Sequence, residues 1–366
     1  MQPTADTGWG KVAGHGAPAT EPPCRGPVVD AHAHFDTGGR RCARELLAAG
    51  GPRMVINYWD LTWPPPPFPR WLERWREEHA LGMRLLHAPD LSEVGAPGFE
   101  RRLADGIAEA GRLGAVGVKV WKNLGLTLRD AAGTLLRIDD PRLDALWVAA
   151  AEAGLAVAIH SGDPRGFFEP IEPGNERYEE LRQRPEYWFG DRRRFPALDD
   201  LHEQFERLVA SHPATRFVGL HFGCFMDFAD VARMLATYPN YMVDTAARTC
   251  DLAAAEHRDA VLGIFARFAD RVVFGSDLIR TATYDLPDSG RDRRATSAFY
   301  DHHRLVFETG RDDIEPPFDF LPPRELHGLA LPPDQLELLY HRNAVAAFGL
   351  DPIEVDRSTN LLGSRP

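Results

Sequence analysis

Cysteine is scarce in this chain. There are four among 366 residues, Cys24, Cys42, Cys224 and Cys250, and none forms a CxxC pair. A zinc ribbon or thioredoxin-type motif is thereby excluded. Four cysteines in a chain of this length read as reduced thiols of a cytoplasmic protein. Long apolar runs are missing as well: none reaches the ~18 residues of a membrane-spanning helix. The opening segment, MQPTADTGWGKVAGHGAPATEPP, lacks the apolar core of a signal peptide. Positive charge is in deficit, with 42 Lys+Arg against 54 Asp+Glu and a formal net charge of −12. So acidic a surface argues against nucleic acid and anionic membranes as partners, without excluding a locally basic pocket. The expected partner is a small-molecule substrate, with a homo-oligomer left open. Neither GxGxxG nor GxxxxGKS/T occurs, so the Gly-rich phosphate loop of a doubly wound sheet is absent too.

What stands out is histidine, 14 residues, and proline, 30 residues. Residues 1–26 are rich in Gly, Pro, Ala and Thr without periodicity and read as a flexible leader. Residues 352–366 read as a tail. Between them run eight short apolar segments: 27–32 (PVVDAH), 53–58 (RMVINY), 84–88 (RLLHA), 116–121 (VGVKVW), 155–160 (LAVAIH), 216–221 (RFVGLH), 240–245 (NYMVDT) and 271–277 (RVVFGSD). Their nearly unbroken apolar character predicts parallel strands buried on both faces. Helical segments alternate with them. Asp140-Pro141 is a helix start, followed by an apolar face of Leu143, Leu146, Trp147 and Ala150. Leu336, Leu339, Tyr340 and Ala347 mark a last helix after Pro332-Pro333. Eight strand–helix units predict an α/β fold, a distorted (β/α)8 TIM barrel, as one domain over residues 27–351.

Three connections are long: 59–70 after the second strand, 161–197 after the fifth and 278–332 after the eighth. In a barrel all three lie on the C-terminal face, where active sites form. Without leader, tail and the two longer insertions, the length comes close to the ~250 residues of a typical barrel. The loops carry Trp59, Trp63, Phe68, Phe167, Phe168, Tyr187, Trp188 and Phe189, which either pack the loops down or wall a pocket for an apolar or ring-shaped substrate.

The strand ends carry the chemistry. Asp30-Ala31-His32-Ala33-His34 places two imidazoles two residues apart, on one side of a strand. The fifth run ends at His160, the sixth at His221 and the eighth at Asp277. Five such groups on four strand ends would cost several kcal/mol if buried unpaired. A divalent metal held by imidazoles and one carboxylate accounts for them together. His87 ends the third run and reads as outer or structural.

In these features the sequence resembles the amidohydrolase superfamily, and within it the amidohydrolase-related branch of metal-dependent hydrolases and non-oxidative decarboxylases. The likeness covers about residues 27–350 and rests on DAHAHFD, VGVKVWKNLGL, AIHSGD, VGLHFG, VVFGSD and HRNAVAAFGL. It implies a distorted barrel with a divalent metal at its mouth, Zn2+ first and Mn2+ or Fe2+ also suited, one ion favoured over two. Position by position, it makes His32, His34 and His160 metal ligands, and Asp277 both a ligand and a base. His221 holds a second metal in binuclear members and is an acid–base group in mononuclear ones; the second role is favoured. Lys119 and Lys122 leave three readings open: a carboxylated lysine bridging two metals, an ammonium binding a substrate carboxylate, or a strand-end salt bridge. Arg248 is a candidate carboxylate clamp beside the substrate. Asp244 reads either as a substrate neighbour or as the partner that orients a ligating histidine. The resemblance implies hydrolysis of an ester, lactone or amide by metal-activated water; the alternatives are non-oxidative decarboxylation and a metal-binding barrel without activity.

Overall fold

The computed structural model describes residues 26–36, 38–48, 51–58, 64–280, 289–317 and 324–352. Residues 1–25 of the leader with Cys24, the tail from residue 353, and Trp59 and Trp63 lie outside the described residues, as do parts of the connection after the eighth strand. The apolar runs form parallel strands: β1 (Val29–Phe35), β2 (Met54–Asn57), β3 (Met83–His87), β4 (Gly117–Val120), β5 (Ala156–Ile159), β6 (Phe217–Gly219), β7 (Tyr241–Asp244), β8 (Val272–Val273) and β9 (Leu278–Arg280). They form one sheet in the order β8-β7-β6-β5-β4-β3-β2-β1-β9.

The two ends of that order belong to one stretch of chain. β8 pairs with β7 and β9 pairs with β1, and only residues 274–277 separate them. Across that gap the Ala31 N–H donates to the Phe274 carbonyl (2.9 Å) and the Asp277 N–H to the His32 carbonyl (2.8 Å). The sheet thus closes into a barrel through a broken eighth strand. The run 271–277 was expected to be one continuous strand; it breaks where its side chains are needed at the mouth.

Both faces of the sheet are buried, as the runs require. Val29, Ala31, Met54, Ile56, Ala158 and Val218 join Ala344, Ala347 and Phe348 of the last helix in one cluster. Val118, Val120, Val157, Ile159 and Val243 pack outward on Leu103, Ile107, Leu146, Trp147 and Leu208 of the surrounding helices. The Asp140 carboxylate accepts from the Arg142 N–H ahead of the helix Asp144–Glu152, and Leu143, Leu146, Trp147 and Ala150 are fully buried. In the connection after β5 a short helix, Tyr178–Gln183, lies between two turns, and Phe167 stacks on Tyr187 with centroids 5.8 Å apart. After β9, the helix Ser289–Glu308 folds back on the barrel and buries His302 and His303.

The last helix locks the broken strand. Its Leu339 carbonyl accepts from the Phe274 N–H (3.0 Å). The Asn343 amide donates to the Ala269 and Val272 carbonyls at 2.6 and 2.7 Å. Removing that amide leaves two carbonyls short of a donor. Asn343→Ala is therefore expected to lose about 1–3 kcal/mol of stability. The check is the urea midpoint against wild type; an unchanged midpoint contradicts the clamp.

Candidate metal centre

Alternation along β1 brings His32 and His34 to the same side, where both are buried. The His32 and His34 Nε2 atoms stand 3.3 Å apart, and the Asp277 Oδ1 lies 3.3 Å from the first and 3.4 Å from the second. The ligand atoms of these three residues all fall within 4.8 Å of one another.

This triangle suits a cation by its donor chemistry. The His32 Nδ1 lies 2.6 Å from the Asp244 Oδ2. A carboxylate accepts only, so Nδ1 carries the proton and Nε2 presents a lone pair. That lone pair faces the Asp277 carboxylate oxygen, and two acceptors at this distance repel unless positive charge lies between them. An ion held tetrahedrally at about 2.0–2.1 Å sets its ligand atoms about 3.3–3.4 Å apart, which the three edges match. Burial pushes the His32 ring well below its usual pKa despite the nearby Asp277. Burial also opposes ionisation of Asp277, but His32, His34 and His221 outweigh it and hold the carboxyl far below the ordinary range. At neutral pH His32 is a neutral imidazole and Asp277 an anion, the forms in which they bind metal.

Unusual backbone aims these groups. Asp277 has φ +60°, in the left-handed region that a non-glycine residue seldom adopts. It is held there from both sides. Its own N–H bonds His32, and Ser276 bonds the buried Asp30 through N–H (3.0 Å) and hydroxyl (2.5 Å). The Tyr300 hydroxyl donates to the same Asp30 carboxylate at 2.6 Å, so the helix after β9 buttresses the break. Gly275 lets the strands approach, since a side chain there would lie 2.7 Å from the His32 Cβ. At the end of β6, His221, Phe222, Gly223 and Cys224 all have positive φ, at roughly 1–2 kcal/mol for each non-glycine residue. The Asp244 Oδ1 accepts from the His221 N–H at 2.6 Å, and the His221 Nδ1 donates to the Ala246 carbonyl at 3.0 Å. The His221 Nε2 has no partner among the described residues. Its ring centroid lies 5.0 Å from that of His32. Burial pushes the His221 pKa down to about 4.

His160, just past β5, stands outside the triangle, with its ring centroid 4.4 Å from that of His221. Its Nδ1 is buried without a hydrogen-bond partner among the described residues, and its Nε2 lies 3.5 Å from the Asp163 carboxylate. Asp163 also receives the Lys122 ammonium at 2.7 Å. Burial opposes the Asp163 charge, but Lys122 and His160 hold its pKa down at about 2. Lys122 is thus paired, under the rings of Tyr187 and Phe189. Lys119 is buried with no hydrogen-bond partner among the described residues, 4.7 Å from the Tyr58 ring centroid and 5.3 Å from that of Trp121. Burial pulls its pKa down to about 7. Asp244 is fully buried, its oxygens taken by His32, His221 and the Ala246 N–H. Arg248 bonds Asp251 (2.7 Å) and the carbonyls of His221 (2.9 Å) and Phe225 (3.1 Å). His87 is half-buried, edge-on to Phe68 with ring centroids 6.2 Å apart.

Sequence reasoning passed over Asp30, Tyr58, Asp163, Ser276 and Tyr300. Tyr58 stacks on His32 at 4.2 Å between centroids. It ends its apolar run as His160 and His221 end theirs, a signal that was readable. Asp163 lies within the AIHSGD segment. Nothing local marks Tyr300, which is 270 residues from its partner Asp30.

The family model Amidohydro_2, described as amidohydrolase, matches residues 27–350. The chain belongs to this family. Its members are metal-dependent enzymes, hydrolases and decarboxylases among them. No functionally curated protein matches the sequence. Among solved structures the chain is similar to dihydroorotase from Campylobacter jejuni, at 12% identity over 89% of this chain and 84% of that one, TM-score 0.46. It is similar to 5-carboxyvanillate decarboxylase from Novosphingobium aromaticivorans, solved with manganese and 4-hydroxy-3-methoxy-5-nitrobenzoic acid, at 12% identity over 89% and 97%, TM-score 0.47. It is also similar to 4-oxalomesaconate hydratase from Rhodopseudomonas palustris, at 12% identity over 88% and 95%, TM-score 0.44.

Asp244→Asn tests the orienting bond. The amide offers one donor and one acceptor where His32 and His221 both need acceptors, so one of them loses its partner. Metal affinity is expected to fall about 10–100-fold, read as ion content at buffered free zinc. Wild-type content at every zinc level contradicts the assignment.

Proposed function

We propose that the chain is a metal-dependent hydrolase that opens an ester, lactone or amide bond in a small, carboxylate-bearing or aromatic substrate. His32, His34 and Asp277, joined by His160, hold one divalent ion, zinc first with manganese or iron also suited to the donors. When bound, such an ion polarises a carbonyl and lowers the pKa of water from ~15.7 to ~7. The observation that carries the reading is the facing pair of acceptors, His32 Nε2 and Asp277 Oδ1, with the His34 Nε2 completing the triangle beside a neutral His221.

His221 takes the proton. Its Nδ1 is committed to the Ala246 carbonyl, so Nε2 carries the lone pair. A pKa near 4 leaves its ring unprotonated at neutral pH, the form that accepts a proton. Hydrolysis needs a group that removes a proton from water, whereas decarboxylation needs one that delivers a proton to carbon. This favours hydrolysis. Asp277, ionised, is the second acceptor. Of the basic residues expected near the substrate, Lys119 is the one with no anionic hydrogen-bond partner among the described residues, and a substrate carboxylate would supply it and keep the amine charged. Asp244 acts through His32 and His221, and Arg248 through the turn that carries His221.

The test is a panel of lactones, esters and amides with and without carboxylates, run in 18O-water on the metal-loaded enzyme. Label in the product supports hydrolysis; CO2 release without label establishes the decarboxylase alternative. His221→Ala is expected to keep its metal and lose about 10²-fold or more in kcat. His160→Ala is expected to lose most of its metal; full content with normal activity removes it from the ligand set. Lys119→Met is expected to raise KM for an anionic substrate about 10-fold, and an unchanged KM ends the ammonium role.

A further inference from the structure

The connections after β5, β6 and β7 and the segment at Arg324 line an open cavity of about 350 Å³. Four arginines line it, Arg165, Arg177, Arg248 and Arg324, with three carboxylates, Glu169, Glu176 and Asp251. The lining carries one more positive than negative side chain, in a chain whose net charge is −12.

Two of the carboxylates are occupied in fixing the arginines. The Asp251 Oδ2 accepts from the Arg248 Nε and its Oδ1 from the Arg324 Nη1, both at 2.7 Å. The Glu176 Oε2 accepts from the Arg324 Nη2 at 3.1 Å. Arg324 is thus matched on both sides. Arg177 and Arg248 are not. Arg177 gives only its Nη1, to Glu180 at 3.1 Å, and lies over the Phe167 ring at 5.9 Å. Arg248 gives its Nε to Asp251 and its Nη1 to two carbonyls, and lies over Phe228 at 5.8 Å. The Arg177 Nε and Nη2 and the Arg248 Nη2 therefore have no hydrogen-bond partner among the described residues. These side chains are only 17% and 5% exposed. Held by ring and carboxylate, they present planar donors whose ordering cost is already met, the arrangement that recognises carboxylate and phosphate oxygens. Arg248 also joins the cavity to the mouth, since it bonds the carbonyl of His221 itself.

Resting on the hydrolase reading, we propose that this cavity is an anion subsite. It takes a carboxylate or phosphate group at the end of the substrate remote from the bond that is broken, with Arg177 and Arg248 as the donors. The substrate class is then a small molecule with an anionic tail.

The test titrates the full-length, metal-loaded protein calorimetrically with inorganic phosphate and, separately, with succinate. Saturable binding is expected for at least one, and the stronger names the headgroup. Arg177→Gln is expected to weaken it about 10-fold or more, while Arg102→Gln, an exposed arginine paired with Glu93 away from both sites, changes it less than about twofold. Should Arg177→Gln fail to fold, Arg165→Gln, at a half-exposed position on the rim, is expected to weaken binding about threefold. No saturable binding overturns the proposal. So does binding unchanged in the variant used, or binding lost in Lys119→Met instead, which would put the anion in the mouth. For a substrate with an anionic tail, Arg177→Gln is expected to raise KM with kcat kept, and to leave a neutral-tailed counterpart unaffected. Metal-dependent hydrolysis with wild-type Arg177→Gln kinetics removes the subsite and leaves the hydrolase. Intact anion binding without any hydrolysis removes the hydrolase reading alone.

Discussion

One buried carboxylate holds the candidate centre together. Asp244 accepts from the His32 ring at one oxygen and from the His221 backbone at the other, both at 2.6 Å. The first bond fixes the His32 tautomer and turns its other nitrogen, lone pair outward, toward His34 and Asp277. The second holds the left-handed turn from which the His221 side chain projects. Burial pushes the Asp244 pKa up to about 6, still below neutrality, so the acceptor stays charged when the protein works near pH 7. Tyr58, stacked on His32, and the burial of the whole group keep water from competing for these bonds.

Around that carboxylate, the barrel carries strain where the chemistry sits. Asp277 and His221 both follow strand ends with positive φ, a conformation that persists only when neighbours over-determine it. The neighbours come from far along the chain: Asp30 and Tyr300 for the first, Asp244 and Arg248 for the second. The broken eighth strand is part of the same device. A continuous strand through Asp277 would alternate its side chains; the break lets Gly275 pass close to His32 while Ser276 and Asp277 turn to different partners. The last helix, through Asn343 and Leu339, holds the start of the break. Stability and site geometry therefore share the same residues.

The barrel was legible in the sequence because strands buried on both faces write themselves as apolar runs, and each of the eight runs overlaps an observed strand. The ends of those runs named His32, His34, His160, His221 and Asp277 for the same reason, since a polar residue closing an apolar strand has few structural explanations. What stayed hidden depends on pairings across the fold. The Tyr300–Asp30 bond joins the insertion after β9 to β1, and no spacing predicts it. The partners of Lys122 and Arg248 were hidden too: an isolated basic residue near a strand end reads as a substrate contact, whereas in the fold Lys122 meets Asp163 and Arg248 meets Asp251. The break in the eighth strand was missed because Phe274-Gly275-Ser276 continues an apolar run, and only the bonds to Asp30 and His32 reveal that the chain leaves the sheet there.

The central claim is a single divalent ion among these side chains, and anomalous diffraction from crystals of the metal-loaded protein tests it most directly. The account predicts one peak per chain, within bonding distance of the His32 and His34 Nε2 atoms and the Asp277 carboxylate, with His160 completing the set. No peak there contradicts it. So do two peaks bridged by a carboxylated Lys119, which would make the centre binuclear and His221 a ligand instead of a base.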